Sequence, residues 1–266
     1  MAITIAPDAH STDTLTLPDA VAEIKSKVVP DEPDTLYEVV PALRALARNR
    51  SFLAECLLEN LVKPDQVMGE TATDTSLVFC RTPRLEIRAN LWFPPQQLPP
   101  TWQKEAERFP YLIPHTHRFD FVTIGYLGPG YRTAIFDWEG ASEDAEPGQE
   151  VKLQFLEETG LPEGKIMRYT AFKDVHYQLH PEDFSVSLNV MIFPQSVYCR
   201  QPLFDIEKKL VRISLFDSAT SQIMACRVAA ATMEPSLFER LEHISHEHEN
   251  PRVRKAAREA LPAGSH

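Results

Sequence analysis

The sequence predicts a mainly β fold, an eight-stranded jelly-roll-type barrel or sandwich flanked by N-terminal and C-terminal α-helices. Three observations predict it. Apolar residues recur at three- and four-residue steps through the first quarter of the chain, the period changes to two from about residue 75, and the helical period returns after residue 217.

Each element follows from its local pattern. Residues 1–15 are polar, proline-interrupted and without periodicity, and read as a mobile tail. In "LPDAVAEIKSKVV", Val21, Ile24 and Val28 form one apolar stripe; in "PDTLYEVVPALRALARNRSFLAECLLENLVK", Leu36, Val39, Val40, Leu43, Leu46 and Ala47 form another. Pro41 is expected to kink or split the second segment, because proline lacks the N–H that a helix interior uses. Strands rich in β-branched and aromatic residues follow: "TSLVFCRT", "RLEIRANLWFPP", "DFVTIGYL", "YRTAIFDW", "VKLQFLE", "KIMRYTAFKDVHYQL", "FSVSLNVMIFP" and "KLVRISLF". Turn residues such as "GPG", "EPGQ" and "LPEG" separate them, and the spacing suits two packed antiparallel sheets. The final helices are "SATSQIMACRVAAAT" and "MEPSLFERLEHISHEHENPRVRKAAREAL", the latter broken at Asn250-Pro251 because a residue before proline is pushed out of helical geometry. The expected organisation is a tail at 1–15, a helical segment at 16–72, a β-barrel at 73–216 and a second helical segment at 217–262.

Composition narrows the function. A chain of 266 residues with 43% hydrophobic content can bury a full core. A formal net charge of −11 argues against nucleic acid as a partner, since that affinity rests on clustered Lys and Arg. No apolar run reaches the roughly 20 residues of a membrane span, and the N-terminus lacks the basic start and apolar stretch of a secretory signal, so a cytoplasmic protein is expected. Cys56, Cys80, Cys199 and Cys226 have no CxxC spacing and read as reduced thiols.

The chemistry concentrates in "PHTHRFDFVTIGYLGPGYRT". Alternation along a strand puts His115 and His117 on one face, with Cβ atoms roughly 7 Å apart, within reach of one metal ion. Neutral imidazole suits Fe, Zn, Cu and Ni. Among the remaining histidines, His243, His246 and His248 lie on a charged helix and read as solvated surface groups.

With its His-x-His on a barrel strand and its following glycines, Gly125 or Gly128, the stretch "HTHRFDFVTIGYLGPG" resembles the first motif of the cupin superfamily, and the resemblance covers roughly residues 75–216. It implies a jelly-roll barrel holding a metal. The carboxylate that the family places four or five residues after the second histidine falls here on Phe121 and Val122, while Asp120 has the opposite strand parity. The resemblance is therefore to three-histidine non-heme iron dioxygenases of the thiol dioxygenase type. The third ligand it implies is His176 in "YTAFKDVHYQLH", where Thr170, Phe172, Asp174 and His176 are expected to share a face, with His180 in reserve. The cofactor implied is Fe(II), with Zn(II) or Mn(II) as substitutes, and the partners are O₂ and a small polar or amino-acid-like substrate.

Around this site, Ser187 and Asn189 lie on the polar face of "FSVSLNVMIF", which is expected to line the substrate pocket. Tyr126, Tyr131, Arg132, Arg168 and Tyr169 are the candidate catalytic and substrate-gripping residues, an Arg there being suited to a carboxylate. Gly128, Pro129 and Gly130 form a turn. The competing readings are a zinc- or manganese-dependent isomerase or hydrolase, and a non-catalytic small-molecule-binding module. The flanking helices either cover the site or form a homodimer interface.

Overall fold

The computed structural model describes residues 2–7, 12–62, 72–73, 75–101, 103, 111–142, 145–193, 201–215, 219–232 and 234–262. Contacts divide the chain into two compact units, residues 1–195 with 202–213, and residues 196–201 with 214–266. Cys56, Cys80 and Cys226 are reduced and form no disulfide, and Cys199 lies outside the described residues. No helix among the described residues is long and apolar enough to cross a membrane.

The larger unit begins with a short strand, β1 (Ile3–Ile5), inside the segment expected to be a tail. Three helices follow, α1 (Leu17–Lys27), α2 (Val40–Arg48) and α3 (Phe52–Val62). Thr16 caps α1 by accepting the Asp19 N–H at 3.3 Å. Pro41 sits in the first turn of α2, where its missing N–H costs nothing, and separates α2 from a 3₁₀ turn at Pro33–Tyr37.

Eleven further strands follow in chain order: β2 (Ala72–Thr73), β3 (Ser76–Arg81), β4 (Leu85–Trp92), β5 (Asp120–Leu127), β6 (Arg132–Glu139), β7 (Lys152–Gly160), β8 (Ile166–Tyr169), β9 (Asp174–Leu179), β10 (Ser185–Ile192), β11 (Gln201–Asp205) and β12 (Leu210–Leu215). The large sheet runs β1-β8-β5-β10-β4-β3-β2, a smaller one β7-β6-β9, and β11 pairs with β12. An extended segment carrying His115 adds to the smaller sheet: the His115 N–H donates to the His176 carbonyl at 2.9 Å and the His176 N–H donates back at 2.8 Å.

With that segment counted as a strand, one sheet contains β4-β10-β5-β8 and the other His115-β9-β6-β7. This alternation of the chain between two antiparallel sheets is the jelly-roll order that the sequence leads one to expect.

Parity in β10 shows how the layers form. Val186, Leu188, Val190 and Ile192 join one core with Ile24, Leu36, Leu43 and Leu46 of the N-terminal helical segment. Full burial of each such leucine is worth roughly 1.5–3 kcal/mol. Ser185, Ser187, Asn189 and Met191 point the other way and are equally buried, so this polar face lies inside the sandwich and not in solvent. A second cluster, with Trp92, Tyr111, Phe121, Tyr131, Met167 and Tyr169, fills the space between the sheets.

Two expected strands differ in detail. The run 165–179 is not one strand: β8 belongs to the large sheet and β9 to the smaller one. Between them the Asp174 carboxylate accepts the Thr170 N–H at 2.7 Å and Phe172 adopts φ 57°, so Thr170 and Phe172 lie in a turn. The His-x-His segment forms β-bridges at His115 alone, to His176 and Leu203, while the His117 carbonyl accepts the Phe172 N–H at 2.7 Å. The glycine turn holds as expected, with Gly128 and Gly130 at φ 80° and 77°.

The smaller unit contains α4 (Ala219–Thr232), α5 (Phe238–Glu247) and α6 (Pro251–Ala260) around Ala219, Cys226, Leu241, Val253, Ala256 and Ala257. Asn250 ends α5's continuation and caps α6, its side-chain oxygen accepting the Arg252 N–H at 2.9 Å.

Candidate metal centre

His115, His117 and His176 come together between the sheets, with one ring nitrogen from each lying within 4.8 Å of the others. The ring centroids are 4.7 Å apart for His115–His117 and His115–His176, and 5.0 Å for His117–His176. Among the described residues this is the only group of three or more His, Cys, Asp or Glu side chains close enough to hold a metal ion.

The backbone sets the ring orientations. The Ile113 carbonyl lies 2.7 Å from His115 Nδ1 and the Asp174 carbonyl 3.2 Å from His176 Nδ1. A carbonyl accepts only, so each Nδ1 carries the proton and each Nε2 presents a lone pair. His176 Nε2 is buried with no hydrogen-bond partner, and His176 is only 1% exposed. An orphaned acceptor at the meeting point of three imidazoles is a poor packing solution and a good metal ligand.

Electrostatics favour the same state. Burial pushes the His115 pKa down, against the opposing bond to Ile113. His176 is pushed well below the usual histidine range, by burial first and by the nearby His115 second. Both rings are therefore neutral at neutral pH, the form a metal binds.

Aromatic residues surround the cluster. His117 stacks on Phe119 at 4.6 Å and meets the edge of Phe121 at 5.1 Å, while Tyr169 lies 4.7 Å from His176 and stacks on Phe121 at 4.6 Å. The hydroxyls of Tyr131 and Tyr169 interact, with Thr123 beside Tyr131 and Thr133 beside Tyr169. Burial raises the pKa of both tyrosines, so they remain protonated donors.

Strand parity places the other candidates. Tyr126 faces the helices, its hydroxyl donating toward the Arg50 carbonyl at 2.9 Å and its ring edge-on to Phe52. Arg168 also faces that side, 3.2 Å from Asp34 and 3.8 Å from Asp120, with Tyr37 under its guanidinium. Arg132 is paired with Glu158 at a side-chain exposure of 62%. Of Tyr126, Tyr131, Arg132, Arg168 and Tyr169, only Tyr169 has its ring against a histidine of the cluster. Asp120 turns away from them as its parity requires, since its neighbour Phe121 points in. His180 packs its ring 4.0 Å from Tyr111, outside the three-histidine cluster.

Ser187 and Asn189 occupy the inner face. Ser187 accepts the Trp92 indole N–H at 3.0 Å, which fixes that ring against Tyr131 at 4.3 Å. Asn189 belongs to a cross-strand row running Met167, Thr123, Asn189, Arg88 and Val78. Arg88 is a residue that sequence reasoning missed. Its pairing with Glu86 at 3.3 Å leaves Arg88 Nε buried without a partner, and Asn189 Nδ2 and Asn90 Oδ1 are likewise unpaired. The signal available in the sequence was the alternation Glu86, Arg88, Asn90 between Leu85, Ile87, Ala89 and Leu91.

No protein-family model and no curated protein matches the chain. Among solved structures, it is similar to the hydroquinone 1,2-dioxygenase PnpCD, in complex with Cd²⁺ and 4-hydroxybenzonitrile, at 12% identity over 49% of this chain and 71% of that chain, with a TM-score of 0.31. A cupin domain from Bordetella pertussis matches at 10% identity over 45% of this chain and 92% of that one, TM-score 0.24. DMSP lyase structures match at 12% identity over 74% and 82%, TM-score 0.28. At TM-scores this low the fold assignment rests on the strand order above and not on these likenesses.

Proposed function

We propose that the protein is a metal-dependent oxygenase in which His115, His117 and His176 hold Fe(II) and a small polar substrate binds between the sheets. The observation that carries this reading is the convergence of three imidazoles, two of them, His115 and His176, held neutral by burial, with no carboxylate in the group, on a buried and largely aromatic interior. Ferrous iron with three protein ligands keeps open positions for a substrate and O₂ and supplies dioxygen activation.

The chain's own residues account for the rest. Phe119, Phe121 and Trp92 exclude water. Tyr169 and Tyr131, held protonated by burial, donate hydrogen bonds to a polar atom arriving beside His176. Arg88 Nε and Asn189 Nδ2 are unspent donors on the inner face, and they suit an anionic or carbonyl group at the far end of the substrate. Arg88 thus takes the substrate-gripping part expected of Arg132 or Arg168.

Anaerobic reconstitution with Fe(II), followed by nitric oxide as a stand-in for O₂, tests the reading. A ferrous nitrosyl spectrum that shifts with an added small carboxylic acid, together with O₂ uptake, is the expected result. Retention of one equivalent of Zn(II), no nitrosyl complex and no O₂ uptake with any tested acid would replace it with a zinc-dependent activity or a non-catalytic binding module.

A further inference from the structure

We infer a second ligand site, for a small phosphate ester, on the opposite side of the large sheet from the histidines. There β1, the end of α2 and the turn preceding β8 border a cleft of about 670 Å³, within the size range of small-molecule sites, about 300–1,000 Å³. Its walls carry four cations, Arg44, Arg48, Arg50 and Lys165, and one carboxylate, Glu163. Such a local excess stands out in a chain of net charge −11. Ile5, Ala47 and Ile124 give the cleft an apolar floor.

The partners of these cations decide what they can still bind. Arg50 pairs with Glu163 at 2.9 Å, so those two charges offset one another. Arg48 lies in the last turn of α2, where the helix dipole favours a cation, and it donates to the Asp13 carbonyl at 3.3 Å. Arg44 and Lys165 have no such explanation. Arg44 donates to the Ala6 carbonyl and Lys165 to the Thr159 hydroxyl. A neutral oxygen satisfies a donor without neutralising its charge, so both present net positive charge to the cleft.

A guanidinium and an ammonium over an apolar floor match an anion attached to an apolar or flat body. Arg supplies paired donors to phosphate oxygens and Lys supplies a point charge. The phosphate group is the shared chemistry; the volume and the floor select an ester over the free ion.

Isothermal titration of the full chain at low salt, with AMP, inorganic phosphate and adenosine as probes, tests the inference. AMP is expected to bind saturably and more tightly than phosphate, with adenosine silent. Arg44→Gln and Lys165→Gln should each weaken AMP roughly tenfold, the loss of one charge-assisted hydrogen bond, while His176→Ala leaves binding unchanged. No saturable binding of AMP or phosphate by the folded chain would overturn the site. So would undiminished binding in both variants at wild-type Tm, or loss of binding in His176→Ala. Phosphate binding as tightly as AMP would overturn the ester in favour of the free ion.

Discussion

Replacing His176 with Ala should abolish the stabilisation that metal gives this fold. The perturbation removes one of three ring nitrogens that now lie within 4.8 Å of each other, and the one whose Nε2 is buried and unpaired. A ligand that binds only the native state adds RT ln(1 + [L]/Kd), about 2.7 kcal/mol when the free metal is 100-fold above Kd. In a unit of roughly 200 residues, 1 kcal/mol moves Tm by about 2–4 °C, so saturating metal should raise the wild-type Tm by roughly 5–11 °C. The assay is the Tm by circular dichroism with and without anaerobic Fe(II), or Mn(II) in air, alongside metal content by mass spectrometry. Each protein is compared with its own metal-free form, so the cost of the cavity left by the imidazole cancels. A His176→Ala variant that keeps the full shift and one equivalent of metal would refute the three-histidine assignment.

Metal content should survive Asp120→Asn, His180→Ala and His246→Ala, because none of these groups joins the cluster; loss in any of them, with the fold intact, would redraw the ligand set. Gly130→Ala should lower the urea midpoint by an amount worth at least about 1–2 kcal/mol, the cost of left-handed backbone for an L-residue, since φ is 77° and the new Cβ would lie 1.9 Å from the Leu161 carbonyl oxygen. Asn250→Ala should cost about 1 kcal/mol through the lost cap of α6, read as earlier melting of helical signal from the smaller unit. Metal-free protein should lose stability as the pH falls below about 6.5. His115 and His176 have depressed folded pKa values, so the unfolded chain takes up protons in that window while the folded chain does not. His176→Phe should flatten this dependence, and an unchanged slope in urea titrations at pH 7.5 and 5.5 would count against a buried neutral His176.

Much of the architecture is legible in local pattern. The helical stripe of Leu36, Leu43 and Leu46, the alternation of Val186, Leu188 and Val190, and the Asn250-Pro251 break each act over a few residues, where backbone geometry and turn chemistry leave little choice. His115 and His117 were legible as a pair because two residues apart in extended chain means one face. The third histidine entered through a resemblance, and its place rests on a β9 backbone exchanging hydrogen bonds with a segment some 60 residues earlier.

What only the tertiary structure decided is which side of each strand faces the interior. Both faces of the large sheet are buried, one under the N-terminal helices and one under the smaller sheet, so hydrophobicity does not mark the inner face. In β5 the set Val122, Ile124 and Tyr126 is as apolar as the set around Phe121, yet only Phe121 meets the histidines. In β8 the neighbours Arg168 and Tyr169 fall on opposite sides, and which of them serves the site depends on strand order, a property of no single segment. The break between β8 and β9 carries no glycine or proline; it is made by the Asp174 carboxylate holding Thr170 and by the Phe172 N–H donating to the His117 carbonyl at 2.7 Å. Arg88 became visible for the same reason. Cross-strand pairing sets it beside Asn189, some 100 residues away in the chain, and only in that pairing do their unspent donors share a wall.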